Sequence, residues 1–94
     1  MTDYLRQRII EDNIEYVVVI SPNGTKHWYF EDEPHRINGP AVEYLDGEKY
    51  WCFNGEYHRI NGPAVEYYNG ITDWYINGQY YPNEEDYWIK VLND

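Results

Sequence analysis

The decapeptide HRINGPAVEY occurs twice, at residues 35–44 and 58–67, and this identical pair decides the fold. The second copy starts 23 residues after the first, and the same shift aligns much of the remaining chain. It places Trp28 on Trp51 and then on Trp74. The duplicate is therefore the best-preserved part of a 23-residue repeat.

Each repeat carries the signals of a β-hairpin. Runs rich in β-branched and aromatic residues, such as VVVI, AVEYL and KYWCF, alternate with Asn-Gly or Asp-Gly pairs. Such pairs favour two-residue type I′ turns, in which both central residues have positive φ. The sequence predicts a mainly β fold, a meander of about three stacked hairpins. The Asn-Gly and Asp-Gly pairs stand at residues 23–24, 46–47, 54–55, 69–70 and 77–78.

The chain is short enough for one small domain spanning residues 1–94. We divide it into units at about 17–39, 40–62 and 63–82, followed by a C-terminal cap at 83–94, because the ends of repeat arrays differ from their middle. Residues 14–20 are predicted as the first strand. Residues 3–12 are compatible with one or two helical turns.

The cap is predicted to be a short helix. Asn83 suits the N-cap, and three acidic residues follow it in the first turn, where the helix dipole favours negative charge. The apolar residues of this helix fall on one side at helical spacing. They are Tyr87, Trp88, Val91 and Leu92.

The turn assignment fixes a strand register. If Asp46 and Gly47 form a two-residue turn, Val42 faces Trp51 and shares its side of the sheet. Repeated through the units, this register sets the three tryptophans in one row, opposite Val19, Val42 and Val65, and we expect that row to form the core. The other face is then a candidate partner-binding surface, together with the acidic run Glu31-Asp32-Glu33. Its residues are Tyr29, Glu43, Tyr50, Glu66, Tyr68, Asp73 and Tyr75.

The composition restricts the classes of partner. The formal net charge is −10, which argues against direct binding to nucleic-acid phosphates. The chain is 19% aromatic, with 12 Tyr, and acidic surfaces rich in tyrosine suit binding to another protein, above all a basic one. Cys52 is the only cysteine, and no apolar run is long enough to span a bilayer, so we expect a cytoplasmic protein without membrane contact.

The repeat resembles a known family. A 23-residue unit with a Y-x-[DN]-G turn, an aromatic strand and a second [ND]-G turn is similar to MORN-type repeats, which are hairpins stacked in one extended sheet. The pattern WYxNGxxHRxxGPAxEYxxG, over about residues 17–90, more closely resembles tandem-repeat proteins of bacteriophages and large viruses. The usual G-x-G close of the MORN motif is replaced here by N-G-P-A. The resemblance implies a scaffold or a binder, in a bacterial cytoplasm if the source is a phage.

The His-Arg pairs, His35-Arg36 and His58-Arg59, have two readings. As repeat elements, each arginine can stack on a Trp or Tyr of the neighbouring hairpin and pair with Glu43 or Glu66. As ligand contacts, all four residues could hold the phosphates of a nucleotide. The spacing of the histidines predicts no metal site, and Cys52 replaces Tyr29 and Tyr75 of the other units, which favours a packing role over a nucleophile.

Several functions remain open at this point. We expect a non-enzymatic module, without a cofactor, that binds and inhibits a host protein in counter-defence or in transcription. An acidic mimic of DNA is a sharper form of the same hypothesis. A protein that sequesters a nucleotide through aromatic and His-Arg residues is a third reading, and a homodimer is compatible with all three.

Overall fold

The computed structural model describes residues 3–93, so residues 1, 2 and 94 at the ends of the predicted domain lie outside the described residues. That part of the chain forms eleven strands and one helix. In order they are β1 (Leu5–Glu11), β2 (Ile14–Ile20), β3 (Lys26–Phe30), β4 (Glu33–Pro34), β5 (Val42–Glu43), β6 (Lys49–Tyr50), β7 (Cys52–Phe53), β8 (Glu56–Tyr57), β9 (Val65–Glu66), β10 (Thr72–Ile76), β11 (Gln79–Tyr81) and α1 (Glu84–Leu92).

The strands form an antiparallel meander. The main sheet has the order β1-β2-β3-β5-β6-β9-β10-β11, β4 pairs with β3 beside this path, and β7 pairs with β8 separately. The described residues extend over 47 × 32 × 17 Å, so the sheet is a thin plate with two broad faces. The predicted mainly β fold of consecutive hairpins with a C-terminal helix is confirmed.

Each aromatic strand changes its partner at a tryptophan. The first half of β3 pairs with β5 and its second half pairs with β4. At the change of partner, the Trp28 N–H donates to the carbonyl of Ala41 (2.7 Å), and the Trp28 carbonyl accepts from the N–H of His35 (3.1 Å). Ala41 is fully buried, so a larger side chain would not fit there. The same bonds recur 23 residues later, among Trp51, Ala64 and His58.

The predicted register is wrong by one residue. Val42 lies opposite Tyr50, not opposite Trp51. The cause is a three-residue loop that ends in Gly47, the residue of this loop with positive φ (98°), while the Asp46 side chain accepts a hydrogen bond from the N–H two residues later (2.9 Å). This is the hairpin with a type I turn and a left-handed third residue. A shift of one residue moves side chains to the opposite face.

The Asn-Gly and Asp-Gly pairs therefore divide into two turn types. The loops at 23–24 and 69–70 follow the three-residue pattern, with positive φ at the glycine. Asn54-Gly55 and Asn77-Gly78 have positive φ at both residues, as predicted for type I′ turns. Glu31 and Asp32 adopt the same turn, with φ of 50° and 66°, although neither is glycine. The acidic run thus departs from the repeat in sequence but keeps its backbone.

The core differs from the predicted tryptophan row. Trp28 lies opposite Val18 of β2 and is 6% exposed. Trp51 and Trp74 are only half-buried. The buried cluster around Trp28 draws on β2, which supplies the fully buried Tyr16, a residue the sequence did not single out. The prediction of a three-tryptophan core is correct for Trp28 alone.

The two ends of the chain differ in how well they were predicted. Residues 5–11 form β1, the edge strand paired with β2, so the reading of residues 3–12 as helical is wrong and the strand at 14–20 is the second one. The helix begins as predicted, because the Asn83 side chain accepts from the N–H of Glu85 (3.0 Å). Within the helix, Tyr87 is fully buried, whereas Leu92 is exposed and does not join the apolar side.

Candidate functional site

The two histidines of the His-Arg pairs hold successive hairpins together. The Nδ1 atom of His35 accepts a hydrogen bond from the backbone N–H of Asn54 (3.0 Å), and Nδ1 of His58 accepts from Asn77 (2.8 Å). Each histidine therefore clamps the type I′ turn of the following unit. Burial lowers the pKa of both imidazoles, which keeps Nδ1 free of a proton and able to accept.

The two arginines pack flat on tryptophans of their own units, not of the neighbouring hairpin. The guanidinium carbon of Arg36 lies 3.7 Å from the centroid of the Trp28 ring, and that of Arg59 lies 3.8 Å from Trp51. Each Nη1 atom donates to a carbonyl four residues on, that of Pro40 or Pro63. The arginines thus close two loops, which we call the first link (residues 36–40) and the second link (59–63).

The predicted pairing of these arginines with glutamates is confirmed, with one difference between the copies. Arg59 Nη1 lies 3.0 Å from Glu66, and Arg36 Nη1 lies 3.8 Å from Glu43. Arg36 also binds Glu11 with both edge nitrogens, Nε at 3.0 Å and Nη2 at 2.8 Å. The hydrogen bond from Arg36 lowers the pKa of Glu11.

A cavity of about 340 Å³ lies between the two links. Both arginines, Trp51, Phe53 and His58 contribute to its walls. Of the four residues proposed as phosphate contacts, the structure places Arg36, His58 and Arg59 at this cavity. His35 is not in its lining and is 4% exposed.

The opposite face of the sheet carries a continuous row of tyrosine rings, which we call the tyrosine row. Its neighbouring ring centroids are separated by 5.8, 5.6, 5.1 and 5.3 Å. Three of the rings are exposed, at 39%, 39% and 48% for Tyr44, Tyr57 and Tyr80. In sequence of contact the row is Tyr44, Tyr50, Tyr57, Tyr75 and Tyr80.

Hydrogen bonds to carboxylates fix two hydroxyls on this face. The Tyr50 hydroxyl donates to Glu48 (2.5 Å), and burial together with that bond raises the pKa of Tyr50. Beside the row, the Tyr67 hydroxyl donates to Asp73 (2.8 Å), which raises the pKa of Tyr67 to about 12. These phenols are therefore neutral donors at physiological pH, and their rings are held in place before any partner arrives.

The corrected register divides the predicted partner surface between the two faces. Tyr50 and Tyr75 belong to the tyrosine row, and the Asp73 carboxylate lies beside it. Glu43 and Glu66 pair with the link arginines on the other face, because each precedes or follows the tyrosine-face residues by one position.

The remaining predicted residues lie at the periphery. Tyr29 stacks on His27 (6.2 Å) at the N-terminal side of the sheet. Tyr68 lies in the loop before Gly70 and is 70% exposed. The exposed residues Glu31, Asp32 and Glu33 occupy the β3–β4 turn and its flank.

Three members of the row were not predicted as site residues. Tyr57 and Tyr80 correspond to each other under the 23-residue shift, and this recurrence in the sequence could have identified both as members of a row. Tyr44 was assigned to the tryptophan face by the incorrect register. Correct turn geometry at Gly47 would have moved it to this row.

Cys52 and the possible metal-ligating side chains bear on nucleophilic and metal chemistry. Cys52 is buried, and burial raises the pKa of its thiol to about 11, so the thiol is protonated at neutral pH and is a poor nucleophile. Among residues 3–93, no three His, Cys, Asp or Glu side chains converge in a way that could hold a metal ion.

Neither a membrane span nor a known relative adds to this picture. Within the described part of the chain, no helix has both the length and the hydrophobicity needed to cross a bilayer. The chain matches no protein-family model, no curated protein and no solved structure.

Proposed function

We propose that this chain is a non-enzymatic protein-binding module that uses the tyrosine row to engage its partner. The row is the observation that carries the proposal, because five aromatic rings in mutual contact form one exposed surface. A shallow cavity of about 420 Å³ adjoins it, lined in part by Tyr44, Tyr50 and Tyr57. Tyrosine offers a large amphipathic contact area at a low cost in side-chain entropy.

The fixed hydroxyls strengthen this proposal. Ordering side chains on binding costs about 0.5–1.5 kcal/mol for each flexible side chain. The hydrogen bonds of Tyr50 to Glu48 and of Tyr67 to Asp73 order part of the surface in advance. A surface prepared in this way retains more of its contact energy as affinity.

The charge favours a basic partner. The net charge of −10 attracts basic proteins at long range and accelerates their encounter with the chain. The resemblance of the repeat to MORN-like and phage repeat proteins suggests a host protein as this partner, and inhibition as the result. The exposed acidic turn at Glu31-Asp32-Glu33 would then add negative charge that attracts a basic partner.

The test is affinity capture with matched variants. Wild-type protein and Tyr68→Ala, whose exposed side chain lies outside the row, should retain the same host protein from a bacterial lysate. The double variant Tyr57→Ala/Tyr75→Ala should lose it, while near-ultraviolet circular dichroism verifies that the variant is folded. Equal retention by the double variant would refute a role for the row.

Two further measurements separate the alternatives. Elution of the captured protein by duplex DNA at constant ionic strength would favour mimicry of DNA. Light scattering of the purified chain distinguishes a homodimer through the same row, since Tyr57→Ala/Tyr75→Ala would then convert the dimer into a monomer.

A further inference from the structure

The first repeat contains an aromatic site filled by a tyrosine from β2, which we call the first socket. The ring of Tyr16 lies 5.4 Å from Trp28, 6.3 Å from Phe30 and 6.3 Å from His35 between centroids. Its hydroxyl accepts a hydrogen bond from the N–H of Ile37 in the first link (3.2 Å). Tyr16 is 1% exposed, so the phenol fills the socket completely.

The same hairpin delivers a carboxylate to this socket. Glu11, at the end of β1, binds the Nε and Nη2 edge of Arg36 with both oxygens. Glu11 and Tyr16 flank the β1–β2 turn at Asp12-Asn13. One hairpin thus supplies a phenol and a carboxylate together.

The second repeat contains the same walls around open space. Adding 23 to each of the five residues that Tyr16 and Glu11 contact gives five residues, all of which line the cavity of about 340 Å³ between the links. We call this cavity the second socket, and its volume lies within the range of roughly 300–1,000 Å³ of ligand pockets. These five residues are Trp51, Phe53, His58, Arg59 and Ile60.

The third repeat also has a tyrosine ring packed on its tryptophan, supplied by another element. Shifted by two repeats, Trp28 and His35 correspond to Trp74 and Tyr81. The ring of Tyr87, from α1, lies 4.7 Å from the first of these and 6.3 Å from the second. Its hydroxyl bonds to the backbone of the second link. A tyrosine from two unrelated elements therefore fills the outer sockets.

The charge pairing in the second socket, like its open volume, differs from that in the first socket. Arg59 uses Nη1 for its bonds to Pro63 and Glu66. Among residues 3–93, no carboxylate binds its Nε and Nη2 edge as Glu11 binds that of Arg36. The Arg59 side chain is 28% exposed, against 15% for Arg36, so it is the more open of the two to solvent. A planar guanidinium edge matches a carboxylate in two parallel hydrogen bonds.

We propose that the second socket binds a tyrosine of a partner protein's β-hairpin, with an acidic residue of the same hairpin on Arg59. The phenol would pack among Trp51, Phe53 and His58, and would accept the N–H of Ile60. The site lies on the face opposite the tyrosine row. It does not depend on the function proposed for that row, and variants of each surface test them separately.

The probe is a peptide copy of the hairpin that fills the first socket. It spans residues 8–17, with Asp12→Asn and Asn13→Gly to favour the type I′ turn. Addition of this peptide to ¹⁵N-labelled protein should shift the indole signal of Trp51 and the amide signal of Ile60 in a saturable way. The indole signal of Trp74, whose socket is filled, should stay in place.

Peptide variants test the two groups without altering the protein. Glu11→Gln or Tyr16→Ala in the peptide should each weaken binding at least about tenfold. The first removes the carboxylate that would bond to Arg59, and the second removes the ring that would be buried in the socket. On the protein, Arg59→Lys should weaken binding similarly, because lysine cannot form the paired hydrogen bonds, whereas Arg8→Lys on β1 should not.

Four results would overturn the proposal. They are an unshifted Trp51 signal at saturating peptide, equal binding of the Glu11→Gln/Tyr16→Ala peptide, tighter binding of adenosine monophosphate than of the peptide at the same signals, and binding of 4-hydroxyphenylacetate without binding of the peptide. The third would assign the socket to nucleotides and the fourth to small phenolic acids.

Discussion

The strained acidic turn gives a quantitative prediction about stability. Glu31 and Asp32 have φ of 50° and 66°, in the left-handed region, which costs most L-residues about 1–2 kcal/mol and aspartate or asparagine less. The equivalent turn at Asn54-Gly55 has φ of 51° and 81° with residues suited to it. The double substitution Glu31→Asn/Asp32→Gly should therefore stabilise the protein.

The size of the effect follows from opposing terms. At Asp32, aspartate tolerates positive φ much as asparagine does, so the relief is at most about 1 kcal/mol, and it is offset by about 0.5–1 kcal/mol because glycine has more freedom to lose on folding. At Glu31, asparagine is several-fold enriched at positive φ, which corresponds to about 0.5–1 kcal/mol. Loss of two like charges beside Glu33 acts in the same direction. The net expectation is a gain of about 0.5–1 kcal/mol in the free energy of unfolding.

Urea unfolding followed by tryptophan fluorescence measures this gain. With a slope of about 1–2 kcal/mol per molar urea, the midpoint should rise by roughly 0.5 M. The reverse exchange, Asn54→Glu/Gly55→Asp, is the matched control and should lower the midpoint by a similar amount. A β-carbon at Gly55 would contact Glu33 at an ordinary 3.6 Å, so no steric clash arises, and the carboxylate added beside Glu33 acts in the same direction as the backbone strain.

An unchanged or lower midpoint for Glu31→Asn/Asp32→Gly would refute the strain argument. Gly78 is unsuitable for the reverse exchange, because a β-carbon there would lie 2.9 Å from Glu56. If the stabilised variant also loses the captured partner, the acidic turn takes part in binding. Its backbone strain would then be the stability cost of that role, as at other functional sites.

Three further predictions concern the histidine clamps, the Tyr87 hydroxyl and the pair of Glu11 with Arg36. Burial lowers the pKa of His35 and His58 below 6.5, so the unfolded chain binds more protons than the folded chain in acid. The urea midpoint should therefore fall as the pH decreases below 6.5. The double variant His35→Gln/His58→Gln should reduce this dependence on pH. Tyr87→Phe removes a buried hydroxyl that bonds to the second link and should lower the free energy of unfolding by about 1–3 kcal/mol in the same assay. Glu11→Gln should lower the free energy of unfolding by up to about 1 kcal/mol at pH 7, because the pair with Arg36 is partly exposed. The difference from wild type should vanish at high salt, which screens the pair. It should also vanish as the pH falls below 4.5 and through the lowered pKa of Glu11, where the carboxylate becomes protonated.

The period and the hairpins could be predicted from the sequence, but the register could not. Asn-Gly and Asp-Gly suit both a type I′ turn and the last two positions of a three-residue loop. At Asp46-Gly47 the side chain bonds to the N–H of Glu48 and selects the longer loop. At Asn54-Gly55 the backbone N–H of Asn54 instead bonds to His35, 19 residues earlier. A local contact therefore selects the loop at Asp46-Gly47, whereas a tertiary contact selects the turn at Asn54-Gly55.

The N-terminal strand was missed for a related reason. The apolar residues Leu5, Ile9 and Ile10 fit a helical spacing, and local pattern alone cannot separate a short helix from an edge strand. The strand β2 decides the question, because its unpaired backbone groups on that side require a partner. The helix α1 carried its own signal at Asn83, and its start was predicted correctly.

The two copies of HRINGPAVEY show the limit of inference from a repeat. Three features recur in both copies: histidine on the next turn, arginine on its tryptophan, and a buried alanine at the change of strand partner. Their surroundings differ because Glu11 and Tyr16, which lie before the first unit, cover one copy and have no counterpart at the other. An identical decapeptide thus closes a core in one repeat and borders an open cavity in the next. In this chain the candidate site at the second link arises from that unequal coverage, and neither copy of the motif encodes it alone.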